Sequence, residues 1–165
     1  MNILYLHGLE SKLSERKRDV LAKYGTVTAP DLDYHNDPDA VLNLIANYKN
    51  SKFDVVMGSS MGGFAGYHIA NAFSLPALLF NPALVKRSVP QNIPETEISD
   101  SGFRQIVLGG KDTVVNPADT LNYIGKDFGG GLDYHLHLKH EMAHRVPMEV
   151  FEEEVESFFK RINSK

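Results

Sequence analysis

The pentapeptide Gly58-Ser59-Ser60-Met61-Gly62 follows directly on the apolar run Phe53-Asp54-Val55-Val56-Met57 and opens a stretch, Met61 to Ala72, that reads as a helix. A G-x-S-x-G spacing between a strand and a helix builds a turn so sharp that it holds its middle serine exposed and strained. Gly58 and Gly62 let the chain turn tightly and let the helix approach the strand. This constrains the fold, because a buried strand has to run straight into a helix packed on the same sheet. Ser60 is thereby a candidate nucleophile and Ser59 a structural neighbour. The plainer alternative is that Ser60 merely caps the helix, a position where serine is favoured.

The rest of the chain alternates in the same way. Ile3-Leu4-Tyr5-Leu6 reads as a buried strand ending at His7-Gly8. Ser14 to Tyr24 reads as a helix stopped by Gly25, and Val27-Thr28-Ala29 as a short strand closed by Pro30-Asp31. Asp37-Pro38-Asp39 can cap a helix to about Lys49, with Val41, Leu44, Ile45 and Tyr48 at helical spacing. Ala77 to Phe80, Arg104 to Leu108 and Leu132 to Leu138 read as strands. Pro117 to about Lys126 and Pro147 to Ile162 read as helices. Residues 84–103 hold Pro90 and Pro94 and no sustained period, so they are expected to form a loop or a small irregular cap. Gly129-Gly130-Gly131 reads as a turn. Strands alternating with helices imply an α/β fold, mainly a parallel sheet with helices on both faces. One domain over residues 1–165 is expected. In such sheets ligands sit beyond the carboxyl ends of the strands.

The composition narrows the chemistry. With 165 residues the chain can bury a core without metals or disulfides. It contains no cysteine, which rules out a thiolate nucleophile and a cysteine-based zinc site. A formal net charge of −4 argues against nucleic acid as the main partner. No apolar stretch approaches the ~18 residues of a membrane span. The chain opens on a strand-like run rather than a basic segment followed by a long apolar one, so a cytoplasmic location is expected. No metal or organic cofactor is implied.

Three groups fall just past the ends of three separate strands: Ser60, Asp112 in Gly109-Gly110-Lys111-Asp112, and a histidine before the last helix. A serine hydroxyl is a poor nucleophile until a base removes its proton. A histidine titrating near neutrality can take that proton and return it to the leaving group. A carboxylate behind the histidine fixes its tautomer and stabilises the imidazolium. The developing oxyanion needs preorganised donors. The N–H of Met61 at the start of the helix and the N–H of Leu9 in the loop after the first strand are the candidates. Asp112 could instead be a turn aspartate, but its place just after Gly109-Gly110 favours the acid role; Asp100 is the fallback acid, and Asp31 and Asp33 fit the order less well. Among the histidines, His140 and His144 both suit the base. His7 is expected to orient backbone near the first loop and His68 to be structural. His35 falls in a polar turn. His135 and His137 share one strand face, where packing or solvent is expected rather than metal. Glu152-Glu153-Glu154 reads as the solvated face of a helix.

Taken together, Tyr5-Leu6-His7-Gly8 with Ser11 and Lys17, Gly58-Ser59-Ser60-Met61-Gly62-Gly63, Phe80-Asn81-Pro82-Ala83, Leu108-Gly109-Gly110-Lys111-Asp112 with Val114-Val115, and the loop His140 to His144 resemble a small α/β-hydrolase. The resemblance is to the YqiA-like family of compact bacterial esterases, and it spans nearly the whole chain in the family's order. Two positions depart from that pattern: no proline follows His7-Gly8, and Ala143 stands where a glycine is more usual. The order serine, acid, histidine is that of α/β-hydrolases. The resemblance implies a catalytic triad of Ser60, Asp112 and His144, His144 occupying the family's place for the base. It also implies hydrolysis of carboxylic esters through an acyl-enzyme; short acyl chains are expected because the 84–103 cap is too small to build a long tunnel. A thioesterase on the same triad, or a hydrolase-fold binding module without turnover, are the alternatives.

Overall fold

The computed structural model describes residues 1–95, 102–126 and 131–164. Its centre is a six-stranded sheet: β1 (Asn2–Leu6), β2 (Thr26–Thr28), β3 (Val55–Ser59), β4 (Ala77–Phe80), β5 (Phe103–Gly109) and β6 (Asp133–Lys139). All five neighbouring pairs are parallel, in the order β2-β1-β3-β4-β5-β6. The helices are α1 (Glu15–Ala22), α2 (Ala40–Tyr48), α3 (Met61–Phe73), α4 (Pro117–Gly125) and α5 (Met148–Ile162).

Side chains alternate across each strand, and in the central strands both alternating sets are mainly apolar. Leu4, Leu6, Val56, Leu79, Ile106 and Leu108 face one core, shared with α2 and α3. Ile3, Tyr5, Val55, Met57, Phe80 and Val107 face the other, shared with α1 and α5. A parallel sheet covered on both sides requires this two-faced hydrophobicity.

The strand order reverses at β1. The chain steps to β2 on one side, then crosses to β3 on the other and continues outward. The loops after β1 and β3 therefore diverge from adjacent strands, with Leu6 paired to Gly58. That divergence opens a crevice at the carboxyl edge. No helix among the described residues is long and apolar enough to cross a membrane.

The largest boundary difference from the sequence reading is β3, which begins and ends two residues later than Phe53–Met57. Phe53 instead packs edge-on against Tyr48 at 5.2 Å. Gly58 and Ser59 stay in the ladder, opposite Leu79 and Phe80. Residues 84–95 form a loop tied to the start of α2. Gln91 Nε2 donates to the carbonyls of Tyr34 (2.9 Å) and Asp37 (3.0 Å). Residues 96–101 of the expected cap, Asp100 among them, lie outside the described residues, as do the first two glycines of the 129–131 turn, and Phe103 belongs to β5.

Candidate active site

Ser60 sits between β3 and α3 with φ 55° and ψ −116°, a strained backbone conformation for a residue with a side chain. The surroundings enforce it. A Cβ on Gly58 would lie 2.2 Å from the Gly62 carbonyl oxygen, and one on Gly62 would lie 2.1 Å from the Leu6 carbonyl oxygen. Any side chain at either position would drive the helix off the sheet. An ordinary cap has extended backbone and accepts from the first turn with its side chain. Ser14 does this ahead of α1, its hydroxyl accepting from the Lys17 N–H. Ser60 makes no such capping bond, and its hydroxyl is directed elsewhere.

It meets His144. Ser60 Oγ is 3.0 Å from His144 Nε2, and His144 Nδ1 is 2.7 Å from Asp112 Oδ2. A carboxylate only accepts, so Nδ1 carries a hydrogen and Nε2 is free to accept from the serine hydroxyl. The Asp112 side chain is fully buried. Its other oxygen, Oδ1, accepts from the N–H groups of Val114 (2.8 Å) and Val115 (2.9 Å). Asp112 is thus both a turn aspartate and the partner of His144, the turn holding the carboxylate at a fixed angle. His140 is exposed and pairs with Glu141 at 3.5 Å. Asp31 and Asp33 pair with Lys12 and Asn36, away from Ser60.

In the sequence Asn81 stands out only as part of Phe80-Asn81-Pro82-Ala83, yet it ties this arrangement together. It is buried, with φ 42°, and follows β4. Its Oδ1 accepts from the Gly109 N–H at 2.7 Å. Its Nδ2 donates to the carbonyls of Ala143 (3.2 Å) and His144 (3.0 Å). One side chain thereby links the loop that carries Asp112 to the loop that carries His144. The signal available in the sequence was an Asn-Pro pair closing a buried strand. Asparagine there reads as turn chemistry alone.

The first loop is anchored by His7. Its Nε2 accepts from the Leu32 N–H at 2.8 Å, so Nδ1 donates to the Gly8 carbonyl at 2.7 Å. Tyr34 Oη donates to the His7 carbonyl at 3.2 Å. Leu9 and Met61 both border the space beside Ser60. Met61 is the first residue of α3, where no carbonyl within the helix accepts its N–H.

Two hollows flank the serine, each bordered by Leu9, Ser60 and His144. One, of about 470 Å³, is walled by Ala83, Val114 and Val115, with Lys86 and Arg87 at its margin. Those two cations are engaged. Arg87 donates to the Ala83 and Leu84 carbonyls and lies over the Phe64 ring at 4.0 Å, and Lys86 pairs with Asp119 at 3.6 Å. The other, of about 660 Å³, is walled by Tyr5, Lys17, Arg145 and Met148. No group of three histidine or acidic side chains among the described residues is arranged to hold a metal ion. His68 packs between Phe64 and Tyr67. Burial, aided by Arg87, pushes it down to about 4.

Outside the site, one expectation is corrected. Glu154 does not lie on a solvated face; it is 1% exposed. It accepts from His137 Nδ1 and Gln105 Nε2 (2.6 Å each) and pairs with Lys139 at 2.8 Å. His135 packs edge-on against Phe103 at 4.9 Å.

A parallel sheet with helices on both faces and a strand–serine–helix elbow at its carboxyl edge is the α/β-hydrolase fold. Among solved structures of that fold, Est1E from Butyrivibrio proteoclasticus is 16% identical, with a TM-score of 0.73 over 99% of this chain and 88% of its own. Alpha/beta hydrolase domain-containing protein 10 from mouse is 13% identical, with a TM-score of 0.74 over 99% and 90%. The Bacillus cereus carboxylesterase is 15% identical, with a TM-score of 0.69 over 96% and 87%. Residues 2–101 match the uncharacterised protein family UPF0227, the YqiA family, and the chain belongs to it.

Proposed function

We propose that the protein is a serine hydrolase that cleaves short-acyl carboxylic esters through an acyl-enzyme. The observation that carries this reading is the continuous relay from Ser60 Oγ through His144 to Asp112, at 3.0 and 2.7 Å. His144 takes the serine proton as Oγ adds to the ester carbonyl. The N–H groups of Leu9 and Met61 receive the oxyanion. His144 then protonates the departing alcohol, and a water attacks the acyl-enzyme by the same route. The hollow walled by Ala83, Val114 and Val115 supports a short acyl chain by its modest size and apolar wall. The test is labelling by a fluorophosphonate probe together with hydrolysis of p-nitrophenyl butyrate. Wild type should be labelled and active, and Ser60→Ala neither. Folded wild-type protein that resists the probe would overturn the reading.

A further inference from the structure

Lys17 and Arg145 are not used by the relay, yet both wall the larger hollow in which Ser60 and His144 are exposed. Lys17 projects from the first turn of α1, half-buried, with its ammonium 4.8 Å from the centre of the Phe151 ring. Arg145 follows the histidine directly in sequence and is exposed. Neither side chain has an ion-pair partner among the described residues. Nearby cations do: Lys12 pairs with Asp31 at 2.5 Å, and Lys111 with Glu141. The carboxylate on the rim, Glu10, is engaged with His35 at 3.3 Å. Burial, and secondarily the Arg145 charge, hold the Lys17 ammonium below its ordinary value. Two like charges without an ion-pair partner in one hollow carry an electrostatic cost that a bound anion would reduce.

We infer that Lys17 and Arg145 form an anion subsite, and that the ester or thioester cleaved at Ser60 bears a second, negatively charged group, a carboxylate or a phosphate. This rests on the hydrolase reading above and adds the substrate's charge to it. The ammonium is a compact point charge on a packed stem, and the guanidinium is a planar fork open to solvent. Together they offer an ammonium and a guanidinium to an anionic group held in the hollow that Ser60 and His144 also line.

Two matched substrate pairs test the inference. The first is the mono-p-nitrophenyl ester of adipic acid against the same ester with its far carboxyl methylated. The second is the butyryl thioester of 4′-phosphopantetheine against that of pantetheine. Wild type should prefer the charged member of at least one pair by about tenfold or more in kcat/KM, the worth of one charge-assisted hydrogen bond. Preference in the first pair identifies an acyl carboxylate, and in the second a leaving-group phosphate. Arg145→Glu, at an exposed position, and Lys17→Gln should each collapse the preference, while Lys17→Arg should retain much of it. Ratios near one in both pairs, or a preference unmoved by these substitutions, would overturn the inference. Absence of turnover with all four compounds would count against the hydrolase reading instead. Calorimetric binding of the same pairs to Ser60→Ala then decides the subsite by itself: tighter binding of a charged member supports it, and equal binding rejects it.

Discussion

Two histidine–carboxylate pairs are built into this sheet, and they are chemically alike but differently finished. Glu154 on α5 and His137 on β6 meet at 2.6 Å, and Asp112 and His144 meet at 2.7 Å. Both carboxylates are buried. Around Glu154 the remaining valences are closed by Gln105 and Lys139, so the carboxylate serves as a junction between helix and strands. Around Asp112 the free oxygen is tied down by two backbone N–H groups. The far nitrogen of its histidine is left facing Ser60 in an open hollow. A histidine–carboxylate contact alone therefore says little about chemistry. What separates the two pairs is whether the second imidazole nitrogen meets a serine hydroxyl beside an open hollow.

The sharpest way to break this comparison is to neutralise both acids in isosteric fashion. Asp112→Asn should keep the turn, because Oδ1 still accepts from Val114 and Val115. It offers His144 an amide in place of a carboxylate, so the ring can settle in the wrong tautomer. Ester hydrolysis should fall by about 10⁴ in kcat with little change in the thermal midpoint. A loss below tenfold, measured on p-nitrophenyl butyrate, would remove Asp112 from the relay.

Asn81 sharpens the comparison from behind, since only the Asp112–His144 pair depends on it. Asn81→Ala breaks the bonds to Gly109, Ala143 and His144 at once. A shift of the two loops by a fraction of an ångström should lower kcat by about 10- to 100-fold. KM should change less, because neither hollow is lined by this side chain. A loss confined to stability, with kcat intact in the folded fraction, would make Asn81 purely structural.

How far these features were legible in the sequence depends on whether their signal is local. The elbow was readable because its requirement is local: a glycine two residues either side of a serine, after an apolar strand. The two-sided burial of the sheet was readable because Ile3 to Leu6 and Ala77 to Phe80 are continuous apolar runs, as strands covered on both faces require. The end of β3 was misplaced because Gly58 reads as a strand breaker, whereas here it stays in the ladder to let the helix approach. Glu154 departs from its expected place because three successive acids look like a solvated surface. Its position, three residues after Phe151 and four before Phe158, puts it beside the buried stripe of α5, a register that was there to be counted. The bonds of Asn81 to loops 28 and more than 60 residues away exist only in three dimensions. A single sequence carries no mark of them.

The Glu154 arm of the comparison should respond in stability and not in turnover. Glu154→Gln keeps the shape but removes the charge that gathers His137, Lys139 and Gln105. The cost should be about 1–2 kcal/mol, at the lower end for a buried polar partner, because His137 and Lys139 can turn to water. For a chain of this size that corresponds to a fall of about 2–8 °C in thermal midpoint. The rate on p-nitrophenyl butyrate should stay within about twofold. A large loss of rate without unfolding would mean that the two pairs are coupled through β5 and β6.

The smallest effect is the pH dependence of that difference, and its sign is fixed. Burial raises the Glu154 carboxyl, but hydrogen bonds from Lys139 and His137 outweigh it and hold the group below its ordinary value of 4.5. A carboxyl lowered in the folded state contributes stability that is fully present above 4.5, where the unfolded chain is also ionised. That contribution fades as pH falls below 4.5 and is gone once the folded group is protonated. Urea unfolding of wild type and Glu154→Gln should therefore show a gap that narrows as pH falls below about 5, as the wild-type advantage is titrated away. A gap that widens on acidification would mean that Glu154 is held protonated in the fold, and that the junction around it is assembled from a neutral acid rather than from its charge.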